Sequence, residues 1–283
     1  KVTGSIPVLA TEQERTPPAS ALFFSPRRED NAPVEIFRKS REQAPEGFFA
    51  AEVAGLAWLD AAGAVRVPRV VSHGATFLEL ERLARGTPTE HAAEEFGRAL
   101  VALHESGASA FGVGPDGWTG DGYIGDAPLP LRPEASWGRF YARWRIEPYL
   151  AASGLSEAGR RSLVHLCEAL EDGAFDDEAP PARIHGDLWS GNVLFTPTGV
   201  VVIDPAAHGG HRITDLAMLS LFGSSELNVI LDAYAEASTR LPDHWRMLIG
   251  LHQVHPLLVH ASLFGAGYGE RAVQQADRML ALA

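Results

Sequence analysis

Asp187, Asn192 and Asp204 are the residues whose types and spacing point most directly to a chemistry. The first two stand in Ile184-His185-Gly186-Asp187-Leu188-Trp189-Ser190-Gly191-Asn192-Val193-Leu194-Phe195, and Asp204 closes the apolar run Val201-Val202-Ile203. Phosphoryl transfer to an alcohol needs a carboxylate that orients the attacking hydroxyl and accepts its proton. It also needs oxygen ligands that hold Mg2+ on the phosphates of ATP. The pattern predicts Asp187 as the base, with Asn192 and Asp204 as metal ligands. Asp and Asn favour turns and helix caps in any protein, so one aspartate alone carries little. The set of three beside strand-like segments carries the reading.

The same chemistry calls for a lysine on a strand to grip the α- and β-phosphates, and for a helix glutamate to hold that lysine. Among the 24 basic residues only Lys1 and Lys39 are lysines. Lys39 ends the strand-like stretch 34–39, and Glu52 lies beside the apolar stripe of the next helix. The pair is therefore expected to bind the cofactor. Leu78-Glu79-Leu80-Glu81-Arg82-Leu83 reads as an edge strand entering a hinge, where backbone groups at Glu81 and Leu83 would meet adenine.

These residues need elements to position them. Phe49, Val53, Leu56 and Leu59 share one face of a helix over 47–62. Residues 65–71 and 77–83 read as two strands about a Ser72-His73-Gly74 turn, and 21–25 as a strand that pairs with 34–39. Thr87-Pro88-Thr89-Glu90 is a helix start with Pro88 at the first helical position, leading a helix to about 106. Residues 107–135, rich in Gly, Pro and Asp, read as one long loop, and Val200 to Ile203 as a strand. Helical patterns fill 136–152, 156–172, 213–222, 225–240, 243–263 and 269–282. The fold class expected is α+β and bilobal. A small antiparallel-sheet lobe with one helix, residues 1–83, would bind ATP, and a large helical lobe, residues 84–283, would carry catalysis and substrate.

Bulk properties narrow the partners. A chain of 283 residues that is 46% hydrophobic can bury a large core. No apolar run appears long enough to cross a bilayer, and a net charge of −12 disfavours nucleic acid and anionic membranes. Cys167 is the single cysteine, so a thiolate zinc cage and an intrachain disulfide are both excluded. A cytoplasmic protein is expected. His252, His255 and His260 share helical spacing without an acidic partner, and packing roles suit them better than a metal. Only a short segment separates Asp204 from Asp215, too short for the activation segment of a protein kinase, so the acceptor is expected to be a small molecule or adduct.

His185-Gly186-Asp187-Leu188-Trp189-Ser190-Gly191-Asn192 resembles the signature of the fructosamine (ketosamine) 3-kinase family, a branch of the aminoglycoside-phosphotransferase-like kinases, and Trp189-Ser190 separates it from other branches. Ile203-Asp204-Pro205-Ala206, Gly210-His211-Arg212, Thr214 to Met218, Phe48 to Leu56 and His260 to Tyr268 match as well. The likeness runs from about Lys39 to the C-terminus. It implies a protein-kinase-like fold, Mg-ATP as cofactor, and phosphorylation of the 3-hydroxyl of sugar-amine adducts, free or on glycated protein, with deglycation as the role. It places His260 in the substrate pocket and Asp215 as a buttress of the catalytic loop; Trp189 either walls the sugar or belongs to the core. The departure lies at the N-terminus, where Gly4 and Ser5, the candidates for a phosphate-cradling turn, stand far ahead of Lys39. Either residues 11–33 form an elongated hairpin, or that first segment is not a working loop. An aminoglycoside- or choline-type phosphotransferase and a nucleotide-binding pseudokinase are the alternative readings.

Overall fold

The structure is a computed structural model that describes residues 35–282. Gly4, Ser5, the strand expected at 21–25 and the hairpin expected at 11–33 lie outside the described residues. A three-stranded antiparallel sheet, β1 (Ile36–Ser40), β3 (Phe77–Glu81) and β2 (Val70–Gly74), has β3 in the centre. Lys39 is registered opposite Leu78. Helix α1 (Phe48–Asp60) lies on this sheet, and Phe49, Leu56, Leu78 and Leu80 form a small core of their own. The strand expected over 65–71 is split by Pro68. Its first half leaves the sheet, so that Arg66 bridges Val201, while only Val70 and Val71 join β2.

Beyond the sheet the chain is mainly helical. Helix α2 (Glu90–Glu105) starts two residues later than the sequence suggests, because Thr89 is its N-cap, with Oγ1 accepting from the Ala92 N–H at 3.2 Å. Pro88 therefore precedes the cap instead of occupying the first helical position. The stretch 107–135 is not one loop. It contains the hairpin β4 (Gly122–Ile124) and β5 (Ala127–Leu129), whose three-residue strands are too short to show alternation in the sequence. This hairpin spans the two parts of the molecule: Tyr123 Oη donates to the Glu46 carbonyl at 2.9 Å and Tyr149 Oη to the Pro128 carbonyl at 2.6 Å.

The single helix expected at 136–152 is a composite. Helix α3 (Trp137–Tyr141) widens into a π-turn over Ala142–Ile146 and ends in a 3₁₀ turn at Glu147–Tyr149. The π-turn buries Arg145, whose Nη1 donates to the carbonyls of Pro130 and Trp144, both at 2.8 Å. After α4 (Glu157–Glu171) come two antiparallel ribbons: β6 (Ala182–Ile184) pairs with β9 (His208–Gly210), and β7 (Val193–Thr196) with β8 (Gly199–Val202). Helices α5 (Arg212–Phe222), α6 (Leu227–Ala237), α7 (Trp245–His252), α8 (Val254–Phe264) and α9 (Gly267–Leu280) complete the described chain.

The pattern read as one helix over 243–263 breaks at Gln253, whose Nε2 donates to the Ala217 carbonyl at 3.0 Å. The run Trp245–Phe264 is long and apolar enough to cross a membrane by length and composition, contrary to the sequence reading, with a mean hydropathy of 1.2. Its apolar character serves the core: Leu251, Val254, Leu257 and Leu258 are fully enclosed. Leu100 on α2 is likewise inaccessible. Leu100→Ala is expected to cost about 2–5 kcal/mol, lowering the midpoint of thermal unfolding by roughly 2–4 °C per kcal/mol. Val164→Ala at an exposed site of α4 should stay within about 0.5 kcal/mol.

Candidate active site

The two ribbons place the catalytic segments side by side. Between β6 and β7 the chain runs through Asp187 and a 3₁₀ turn at Ser190–Asn192, closed by N–H bonds from Trp189 to the Asp187 carbonyl and from Asn192 to the Trp189 carbonyl. Asn192 Nδ2 donates to the Asp187 carbonyl at 2.8 Å and to Asp187 Oδ2 at 3.2 Å. Its Oδ1 accepts no hydrogen bond from the described residues. The Ile203 N–H donates to the Asn192 carbonyl at 3.1 Å, which brings the segment bearing Asp204 against the turn bearing Asp187.

His185 makes the second tie. Its Nδ1 accepts the Asp187 N–H at 3.3 Å, so Nε2 carries the proton that goes to the Ile203 carbonyl at 2.9 Å. Burial depresses its pKa, so the ring is neutral and its tautomer is fixed by the two bonds. Beneath it, the fully buried Asp215 accepts from the N–H groups of His185 at 2.8 Å and Gly186 at 2.9 Å, and pairs with His104 Nε2 at 3.1 Å. His104 Nδ1 in turn meets Tyr234 Oη at 2.7 Å. Burial alone would raise the pKa of Asp215, but His104 and the backbone donors outweigh it and hold the carboxyl below its ordinary range.

Lys39 reaches across to this site. Its Nζ lies 2.7 Å from Glu52 Oε1 and makes a short ion pair with Asp204 Oδ1. Burial opposes the charge, yet the two carboxylates raise the lysine pKa above its usual value, and the ammonium is retained. Gly55 allows α1 to come this close: a Cβ there would sit 3.3 Å from both Pro205 and Ala207. Asp204 itself adopts φ of 56°, a left-handed conformation that is costly for a residue with a side chain. Asp187 is pushed up to about 8, first by burial and then by the charge of Asp204, with the Asn192 bond pulling the other way.

The oxygens of Asn192 and Asp204 form a donor set without sulfur or imidazole, which suits a hard divalent cation such as Mg2+ whose remaining ligands come from phosphate and water. At the hinge, the Glu81 N–H is taken by the Arg69 carbonyl at 2.9 Å, while the Arg69 N–H bonds the Glu81 carboxylate at 3.2 Å instead of its carbonyl. Glu81 therefore has only its carbonyl to offer a base, and Leu83 is two residues further on, past the last sheet bond from Arg82 to Glu35.

The sequence profile of the family described as fructosamine kinase matches residues 27–282. The chain belongs to the fructosamine kinase family. A Synechocystis protein named a probable ketoamine kinase is 33% identical over 237 residues, covering 82% of this chain and 78% of that protein. A Thermobifida fusca structure that carries the name fructosamine-3-kinase is 45% identical with a TM-score of 0.79, covering 88% of this chain and 86% of that one. The Streptococcus pneumoniae choline kinase LicA shares the fold alone, at 18% identity and a TM-score of 0.56 over 90% of this chain and 89% of its own. The α+β, protein-kinase-like architecture and a phosphotransferase activity with a hydroxyl acceptor follow from family membership.

Two site residues of this fructosamine kinase relative lie on the outer side of the catalytic turn. Trp189 is half-buried, and its indole folds back over Gly191, where a Cβ would come within 2.2 Å of the ring. The glycine of the motif is therefore a seat for the tryptophan. His260 donates through Nδ1 to the Pro256 carbonyl at 2.7 Å, leaving Nε2 as an acceptor. His252 bonds Thr214 Oγ1 at 2.9 Å and stacks on Trp137, and His255 packs on Tyr149, so these two serve the core. The roles of His185, His104 and Tyr234 were missed in the sequence, although His185 stands in the motif itself.

Two outcomes are expected. Gly191→Ala should displace the Trp189 ring, changing the tryptophan fluorescence and near-ultraviolet dichroism, and should lower kcat/KM for the acceptor with little change in KM for ATP. The second concerns acid. His104, His185 and His208 are buried neutral, with pKa values depressed by burial, that of His208 to about 3. The unfolded chain binds protons at these sites from pH ~6.5 downward while the folded chain does not, so stability falls as pH drops through that window. Urea unfolding at a series of pH values between 7.5 and 5 should show a loss that exceeds one histidine's ~1.4 kcal/mol per pH unit.

Proposed function

We propose that this protein uses Mg-ATP to phosphorylate the 3-hydroxyl of ketosamines, the sugar-amine adducts of fructosamine or ribulosamine type, and so acts in deglycation within the cytoplasm. The observation that carries the proposal is the convergence of Lys39, Glu52 and Asp204 on one point beside Asp187 and Asn192, since phosphoryl transfer depends on positioning and charge more than on covalent chemistry. Family membership and the ketoamine kinase name of the Synechocystis relative support the acceptor class. A structure of LicA in complex with AMP, at 18% identity and a TM-score of 0.52, supports the nucleotide only through the shared fold.

Asp187 is the base that orients the acceptor hydroxyl and takes its proton. Burial, and then the charge of Asp204, raise its pKa above the ordinary carboxylate range, which strengthens it as a proton acceptor. Asn192 holds Asp187 through Nδ2, and its Oδ1 together with the Asp204 carboxylate would hold Mg2+. Mg2+, when bound, neutralises charge on the transferring phosphoryl group. Lys39, kept charged and aimed by Glu52, would hold the α- and β-phosphates, and backbone groups at Glu81 and Leu83 would meet adenine. Trp189 and His260 bound the acceptor.

An ATP-consumption panel tests the assignment: fructosamine and ribulosamine adducts should be turned over, while choline and aminoglycosides should not. A preference for either of the latter would replace the acceptor class, and no turnover with any alcohol despite nucleotide binding would indicate a pseudokinase. Asp187→Asn is expected to lower kcat by about 100- to 10,000-fold with ATP affinity retained. Full activity in that variant would remove Asp187 from its role.

A further inference from the structure

A chain of aromatic rings leaves the catalytic turn and ends in solvent. Trp189, two residues past Asp187, meets Phe222 edge-on at 5.9 Å between centroids; Phe222 meets His260 at 5.2 Å; His260 meets Phe264 at 5.5 Å and Tyr268 at 5.2 Å. Two of the rings stand open, Phe222 at 43% and Phe264 at 57% exposure, while Trp189, His260 and Tyr268 are half-buried between and beside them. Phe222 and Phe264 are the two exposed phenylalanines among the described residues, and both stand next to the reaction centre.

The backbone enforces this placement. Phe222 and Phe264 are the last residues of α5 and α8, and each is followed by a glycine at positive φ, Gly223 at 71° and Gly265 at 113°. Both chains turn away after the ring instead of covering it. Among the described residues neither His260 nor Tyr268 is paired with a carboxylate. His260 is held neutral by burial, with Arg271 adding to the effect. The tip of the β4–β5 hairpin borders the shelf, since a Cβ on Gly125 would sit 3.6 Å from Leu263 beside Phe264.

We infer that the rings of Phe222, His260, Phe264 and Tyr268 form a subsite for the N-substituent of the acceptor, and that they select adducts whose amine bears an apolar alkyl or aryl group. The inference rests on the proposed ketosamine kinase activity and extends it to specificity. The argument is one of continuity and polarity. An acceptor whose 3-hydroxyl lies at Asp187 has two ends, the hydroxyl-bearing C4–C6 end and the amine substituent, and of these the uncharged aromatic surface that leads outward from Trp189 matches in polarity only an amine substituent that is apolar. Aromatic faces attract alkyl and aryl groups by burial of apolar area and reward neither a carboxylate nor a phosphate.

The test compares two fructosamines that differ only in the amine, the methylamine adduct and the benzylamine adduct, with wild type, Phe264→Ala and Phe264→Trp. Wild type should prefer the benzyl adduct, by a KM at least tenfold lower. Phe264→Ala, at an exposed position that tolerates truncation, should abolish that preference by raising KM for the benzyl adduct alone, with kcat and the methyl adduct nearly unchanged. Phe264→Trp should restore it. Equal kinetics for the two adducts in wild type, or an equal loss for both in Phe264→Ala, would overturn the subsite while leaving the kinase reading intact. Failure of wild type to turn over either adduct would strike at the acceptor class itself and would refute both.

Discussion

Both nitrogens of the His185 ring are engaged, one by the Asp187 N–H and the other by the Ile203 carbonyl, and the two carboxylate-bearing segments hang from that ring. A neutral imidazole suits this position because it offers one acceptor and one donor in a single plane, which an ammonium or a hydroxyl cannot do in the same geometry. The depressed pKa is thus a requirement of the site, since a second ring proton would leave the Asp187 N–H without its acceptor. Asp215 fixes the backbone beneath the ring, and His104 and Tyr234 fix Asp215, so the order of the catalytic turn is inherited from α2, α5 and α6 packing together.

Opposite this rigid base, the sheet delivers one charge. Lys39 stands on β1 across from Leu78, and α1 presents Glu52 from the other side; Gly55 lets the helix touch Pro205 and Ala207, next to the residue that Lys39 contacts. Three elements distant in sequence are thereby held to a common point by small residues at their contacts and by one buried cation. The left-handed φ of Asp204 fits this account, because a locally unfavourable backbone persists only where its surroundings dictate it.

Much of this was legible in the sequence, for identifiable reasons. Asp187, Asn192 and Asp204 stand close together along the chain, and the scarcity of lysine made Lys39 visible. What could not be read depended on distant partners. The β6–β9 ribbon has strands of three residues, too few for a period, and His208-Gly209-Gly210 has no strand propensity at all; it becomes a strand because Ala182 to Ile184 lies beside it. The break at Gln253 is held by a bond to Ala217 on another helix, although Pro256, whose missing N–H leaves the His252 carbonyl without its helical partner, marked it in the sequence. The role of Gly191 depends on where the Trp189 ring comes to rest, which spacing alone does not state.

The treatment of Lys39 has a consequence outside catalysis. Reducing sugars condense with amines that are both exposed and unprotonated, and Lys39 is the sole lysine among the described residues. Its Nζ is wedged between two carboxylates that keep it charged, with its side chain only 18% exposed. The remaining formal positive charge of residues 35–282 is carried by arginine, which forms no Schiff base. An enzyme proposed to meet sugar-laden amines as its daily substrate therefore offers, over this whole region, no lysine amine of its own for the same injury.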